Sequence, residues 1–522
     1  MAMVPLRNIG IGGIVPDQQP YDLELSQFAA GNNVQMFSGR LGKALGHTQA
    51  LSLAFQPTHV APWLLEGSSA LVVGSNTALY KYDGTSIVNV SNPTYTSGYS
   101  NSPTWQTSQI GFGFIANNGS EVPQYLAPTA LTFVNLPNWP SAIRTNSLRP
   151  FQSFLVMAGY TDGSTEYPYT VRWGDEYDPT GIPSSYDITS TTNLAGENPM
   201  GGRFGALVDS LPLGGTNIVY AERGAYAMQF VGAPLVFAFR ELFDDGGLIN
   251  LGAVCVFGNR HFVVGRDDIY VHDGSSKQSV VANRVRDAFF SSVADTRSIT
   301  VTPDYERSEI WICYADKDAT DSRTANKAWV WNWTSDSWTP RDVPGVRAMA
   351  FGPNIGEGGG GGASWDALGN TWDNWSAQWN DLGADVQARS GRLFAASYTA
   401  SKLYAMNESF AANGSAYRAF VEAPKIDLDR VLQRASERVL QITRIVPQIS
   451  GNGTVTIYVG SSNSPQGAVN WKTQKEFQIE SDYKVDTRVT GRYLAIRLES
   501  QSASGQWQLS GFDLDVNEVA ER

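Results

Sequence analysis

A short hairpin that recurs along the chain limits its fold more than any other feature. The clearest copy spans residues 262–281, FVVGRDDIYVHDGSSKQSVV. Residues 262–264 and 269–271 are β-branched or aromatic runs on either side of a polar turn. Asp273-Gly274 then turns the chain toward Val280 and Val281, because glycine tolerates the positive φ of a tight turn. A near copy, LYKYDGTSIVNV, occupies residues 79–90 with Asp83-Gly84 at its turn, and a looser one, WVWNWTSDSWT, residues 329–339.

The same rhythm fills the middle of the chain. Strand candidates fall at 71–73, 79–82 and 87–90, then at 110–116 and 131–136, and at 154–158 and 169–173. Others follow at 217–220, 225–230, 235–239, 309–314, 328–333, 393–396, 402–406 and 417–421. They group into roughly six or seven clusters, each near the ~40–50 residues of a propeller blade. One cluster alone leaves a sheet face uncovered, whereas radial stacking buries the faces and leaves only short edges. Two consecutive β-sandwiches would use the same strands and form the alternative.

The expectation is an all-β chain: a β-propeller with an appended β-sandwich domain and a Gly/Trp-rich insertion. Residues 1–50 read as an N-terminal arm, either wrapped on the body or adding a strand to a later sheet. The propeller is expected over 51–424, interrupted by a flexible Gly/Trp-rich insertion at 353–388. Residues 283–292, NRVRDAFFSS, suit a short helix with Val285, Phe289 and Phe290 on one face. After Pro424 a charged stretch leads into strands at 439–449, 455–459, 477–479, 493–498 and 512–516, which predict the β-sandwich over 425–522.

Within the insertion, Trp365, Trp372 and Trp379 recur at seven-residue intervals, with Trp375 between the last two. The spacing matches a heptad, but the Gly and Asn content does not suit a coiled coil. Two readings follow: a compact loop with its rings packed on the body, or an exposed aromatic ladder for a partner protein or glycan. The four tryptophans are the candidate partner contacts.

Composition narrows the function. The formal charge is −12 with only 17% charged residues, which opposes general nucleic-acid binding, since that needs Lys and Arg to displace phosphate counterions. Cys255 and Cys313 are not in CxxC spacing, and His47, His59, His261 and His272 form no metal-ligand pattern. No nucleophile elbow or phosphate loop is present. Asp244-Asp245 and Asp267-Asp268 are the one route to acid–base chemistry, and Asp-rich turns are ordinary in β-proteins. The reading is therefore not an enzyme, with no cofactor, metal or catalytic residue. No charged region followed by an apolar run opens the chain, and no window of about 18 apolar residues occurs, which predicts a soluble chain without membrane insertion.

The stretch 252–341 resembles the tail nozzle (hub, or tail-stabilisation) proteins of short-tailed bacteriophages. Carrying the resemblance are Cys255, FVVGRDDIYVHDG, VRDAFF, EIWICYA at 309–315 and VWNWTSDSW at 330–338. YDLELSQFAAGNNVQMFSGRLGKALG at 21–46 and YVGSSNSPQGAVNW, RYLAIRLES and LSGFDLDV near the C-terminus extend it. The resemblance implies a structural virion protein, assembled in the host cytoplasm into a hexameric ring at the distal end of the tail. That ring would bind an adaptor ring, contact fibres or spikes and a plug, close the channel, and let genomic DNA pass during ejection without specific binding. Acidity then suits a lumen that repels phosphates. The alternative is a carbohydrate-binding or carbohydrate-cleaving β-propeller protein.

Overall fold

The computed structural model describes residues 2–37, 39–65, 68–100, 104–355, 391–427 and 438–521. The chain is almost entirely β, in eight antiparallel sheets among the described residues. Five of these follow one another as simple meanders. They begin with the strands His59–Leu65, Gln106–Ile110, Ser147–Phe151, Leu207–Leu213 and Val254–Phe257.

A seven-stranded sheet completes the series. Its long strand Ser337–Pro353 is shared. The first part pairs with Ala325–Asn332, and the second, from Val346, pairs with Gly391–Ser397. The sheet thus acts as a sixth unit opened by Thr300–Asp304 and a seventh opened by the second part of the shared strand. The seventh takes its outermost strand from His47–Ser52, which pairs with Lys402–Met406. Opening strands of neighbouring units lie against one another at six of the seven junctions, Ser337–Pro353 against His59–Leu65 among them, and the fourth and fifth units meet through Tyr220 and His261, so the series returns to its start.

Strand alternation explains why the middle strands are largely apolar on both faces. In Glu309–Tyr314, Ile310, Ile312 and Tyr314 enter the core shared with the fifth unit, while Trp311 and Cys313 enter the core shared with the seventh. Leu71 and Val73 face the seventh unit, and Val72 faces the second. A strand covered on both faces has no polar position to spare. Each buried Leu, Ile or Phe contributes about 1.5–3 kcal/mol relative to exposure.

The hairpin at 262–281 appears as Arg260–Val264, Ile269–His272 and Lys277–Ser279. Its third strand lies ahead of the expected Val280-Val281, because this edge strand needs no apolar alternation. The helix forms at Arg286–Ser292. Its cap comes from far away: the Asp17 carboxylate accepts from the backbone N–H of Asp287 and Ala288, both at 2.9 Å.

Two further sheets share one core. One holds Tyr417–Ile426, Tyr493–Ser502, Thr454–Ser462 and Asn470–Gln478, with Ala30–Asn32 at its edge. The other pairs Arg438–Gly451 with Trp507–Glu521 and Val485–Gly491, and adds Ala2–Arg7, Val34–Phe37 and Arg40–Lys43. Strand pairing sets which sheet each part of the chain joins. Residues 2–43 complete the C-terminal sheets, 47–52 join the ring of units, and the C-terminal sheets begin at Tyr417. The reason is hydrogen bonding: the edge of Trp507–Glu521 offers unpaired groups that Ala2–Arg7 satisfies along six consecutive register positions.

Asn33 pins this pair of sheets to the ring. Its side chain donates to Asp342 Oδ2 (2.7 Å) and accepts from the Asp342 N–H (2.9 Å), while its own N–H donates to Pro340 O (2.9 Å). Asparagine suits the site because its φ of 55° lies in the left-handed region.

Candidate functional site

The residues singled out from sequence separate in space. Trp365, Trp372, Trp375 and Trp379 lie outside the described residues. Asp244 and Asp245 are exposed, and Asp245 pairs with Lys277 at 2.8 Å. Asp268 accepts from Ser279 Oγ (2.7 Å) and Arg286 (2.9 Å), whereas Asp267 is exposed in the turn. Both pairs are engaged in turns and ion pairs. Cys255 and Cys313 are buried free thiols, and burial pushes the Cys313 thiol up to about 12. Among the described residues, no three His, Cys, Asp or Glu side chains are grouped to hold a metal.

Two histidines meet at a buried tyrosine between the fourth and fifth units. Tyr220 Oη lies 2.7 Å from His261 Nδ1 and 2.6 Å from His272 Nε2. His261 Nε2 is 3.0 Å from Pro212 O, and His272 Nδ1 accepts from the Gly274 N–H at 3.2 Å. These end partners set the tautomers. A carbonyl can only accept, so His261 carries its proton on Nε2, and an N–H can only donate, so His272 carries its proton on Nε2. The chain then runs one way: His272 donates to Tyr220, Tyr220 to His261, and His261 to Pro212. Burial lowers His261 to about 4 and His272 to about 3. Every donor is used, so the chain is a structural tie.

The ring's central cleft is different in kind. A cavity of about 250 Å³ is walled by the opening strands or their approaches from six of the seven units, including His59, Gln106, Arg149, Gly252, Thr302 and Arg347. Behind the wall, Asp209 is fully buried and gathers three units together. It accepts from Arg149 Nε (3.0 Å) and Nη2 (2.7 Å), Ser147 Oγ (2.8 Å) and Gln106 Nε2 (3.2 Å). Three more arginines line the cleft: Arg297, Arg323 and Arg347. Arg297 forks onto Asp295, and Arg347 donates to Asp321 (2.9 Å) and Thr324 (3.1 Å). Burial, with a contribution from Arg149, holds His59 at about 4, so it stays neutral.

Sequence reasoning missed this cluster because the four arginines have no regular spacing. A repeat-aligned reading had a signal to find: Arg149, Arg297 and Arg347 each sit in, or just before, the opening strand of a unit.

No family model matches the sequence, and no curated protein matches it.

Proposed function

We propose that the chain is a seven-bladed β-propeller with a β-sandwich, and that it serves as a structural subunit of a tail nozzle ring in a short-tailed bacteriophage virion. The observation that carries the reading is how the first and last strands are tied. Ala2–Arg7 is laddered to Trp507–Glu521, which is itself paired along Arg438–Gly451. His47–Ser52 closes the ring against Lys402–Met406. Ala2–Arg7 cannot leave its sheet without giving up a ladder of six register positions, nor His47–Ser52 without opening the pairing with Lys402–Met406. A part that retains packaged DNA needs that resistance.

Charge supports the same reading. Residues 47–416 hold 22 Lys and Arg against 34 Asp and Glu, whereas residues 1–46 and 417–522 balance, with 16 of each sign. The whole −12 falls within residues 47–416, −5 of it in the insertion at 353–388, so a propeller face turned toward a channel would repel phosphates. In the hexamer, the sandwich and the propeller would offer surfaces to the adaptor ring, to fibres or spikes, and to the plug.

Light scattering on the purified chain, followed by electron microscopy with and without an adaptor ring, tests this. A closed ring, formed alone or on the adaptor, is the expected result. A chain that stays monomeric under both conditions refutes the reading.

A further inference from the structure

The cleft at the centre of the ring is electrically opposite to the rest of the ring. Four charged side chains line it, all of them arginines: Arg149, Arg297, Arg323 and Arg347. No Asp or Glu lines it, although residues 47–416 carry the chain's entire negative excess. The partner carboxylates Asp209, Asp295 and Asp321 are not among the lining residues, so guanidinium groups are what the cavity meets.

The way these arginines are held leaves donors over. Arg149 and Arg297 each engage an aspartate through Nε and Nη2, and Arg347 uses Nε for Thr324 and Nη2 for Asp321. In all three, Nη1 has no partner among the described residues. Arg323 is half-buried and makes no side-chain hydrogen bond or ion pair among them; its interaction with Asp295 is Coulombic only. A guanidinium removed partly from water with no hydrogen-bonded anion gains from one placed against its free donors. Guanidinium forks match the planar edges of phosphate and carboxylate. The space of about 250 Å³ exceeds the ~30 Å³ share of a single water several-fold, which suits a phosphate or a single acidic sugar.

We propose that the central cleft is a binding site for a small ligand carrying an oxyanion, phosphate or carboxylate, with Arg323 as its main anchor and the spare Nη1 donors of Arg149, Arg297 and Arg347 around it. The site lies within one chain and does not depend on oligomerisation.

Thermal melting and calorimetry of the full chain with inorganic phosphate and with glucuronate test the site. Sodium chloride at matched ionic strength controls for screening, and glucose controls for the sugar frame. At least one oxyanion should raise the melting temperature saturably by about 10 mM, while chloride and glucose should not. Response to phosphate alone assigns a phosphate ligand, and response to glucuronate alone assigns a carboxylate. Arg323→Gln should weaken the responding anion about tenfold, the loss expected for one charge-assisted contact. Arg203→Gln, which breaks the exposed pair with Glu241 outside the cleft, should leave it unchanged. Circular dichroism checks that the variants fold, and Arg323→Lys, which keeps the charge and loses the fork, replaces Arg323→Gln if that variant does not. No saturable response to either anion, or wild-type affinity in the folded Arg323 variant, overturns the proposal.

Discussion

The ring and the pair of C-terminal sheets are both antiparallel β-structure, yet they fix their register by different means. Each ring unit comes largely from consecutive chain, and polar groups are carried into the seams between units. Arg341 donates to Glu309 at 2.8 Å and to Asn407 at 2.9 Å, with both charged side chains buried, and Asn407 reaches Asp304 at 2.9 Å. Tyr220 ties the fourth unit to the fifth, and Asp209 gathers the second, third and fourth. In the C-terminal sheets the strands come from opposite ends of the chain, and ion pairs such as Arg497–Glu422 and Arg418–Glu499 lie partly in solvent. Short meanders slip easily, and a slip of one residue would strand a buried charge. Long ladders such as Arg438–Gly451 on Trp507–Glu521 resist slipping by length and alternation alone.

The largest expected effect follows from this contrast. Glu309→Ala leaves the Arg341 guanidinium buried without its carboxylate and should cost about 3–5 kcal/mol. Glu422→Ala, which removes a partly solvated pair, should cost about 1 kcal/mol or less. Urea denaturation of both variants measures the difference, and equal losses would abolish the distinction between the two regions.

Next comes the tyrosine tie. Tyr220→Phe leaves His261 Nδ1 without a donor and His272 Nε2 without an acceptor in a fully buried site. The loss should be about 2–4 kcal/mol, from ~1–3 kcal/mol for each buried group left unmatched. A loss under about 0.5 kcal/mol would show that the two histidines find other partners.

Acid should attack the ring and spare the C-terminal sheets. All four histidines fall within residues 47–416. Burial lowers His47, His59 and His261 to about 4, and His272 to about 3, from 6.5. A histidine lowered on folding binds more protons when unfolded. Its contribution is therefore complete above pH 6.5 and lost as the pH falls toward 4. The slope is about 1.4 kcal/mol per pH unit for each histidine that stays neutral in the folded chain. Hydrogen exchange at pH 7 and pH 5 should show protection falling first at residues 260–272. A uniform fall over both regions would contradict the localisation.

What the sequence revealed followed the same division. Covered middle strands such as Ser68–Gly74 and Glu309–Tyr314 were legible because both faces are apolar. Opening strands were harder. Gln106–Ile110, QTSQI, looks like loop because one side of it faces the cleft. The arginines were invisible as a group, since Arg149 and Arg347 meet only after the ring closes. The pairing of Ala2–Arg7 with residues 511–516 left no local trace, because a ladder between strands about 500 residues apart depends on complementary edges, not on composition. The tight turns were the most legible feature, since Asp-Gly carries its geometry within four residues.

Those turns allow the finest comparison, within the ring itself. Asp83 Oδ1 accepts from the N–H of Thr85 at 2.9 Å and of Ser86 at 2.8 Å, and Asp273 Oδ1 accepts from Ser275 and Ser276 at the same two distances. The following glycines have φ of 99° and 87°. Hydrogen bonds from Ser86 and Thr85 hold the Asp83 carboxyl at about 2, and those from Ser276 and Ser275 hold Asp273 lower still, against an ordinary value of 3.8. A carboxylate lowered on folding stabilises fully above its unfolded value and loses that contribution as the pH falls through the folded one. Both Asp83→Ala and Asp273→Ala should therefore destabilise at pH 7, Asp273→Ala by the larger amount and each by less than Tyr220→Phe. Asparagine at either site, which keeps the accepting oxygen without its charge, should recover part of the loss. The gap between each alanine variant and wild type should begin to close only below about pH 4, well under the histidine window. Paired thermal melts at pH 7 and pH 3 measure both points. A loss at only one of the two sites would mean that the hairpins at 79–90 and 262–281 share a sequence pattern but not a structural role.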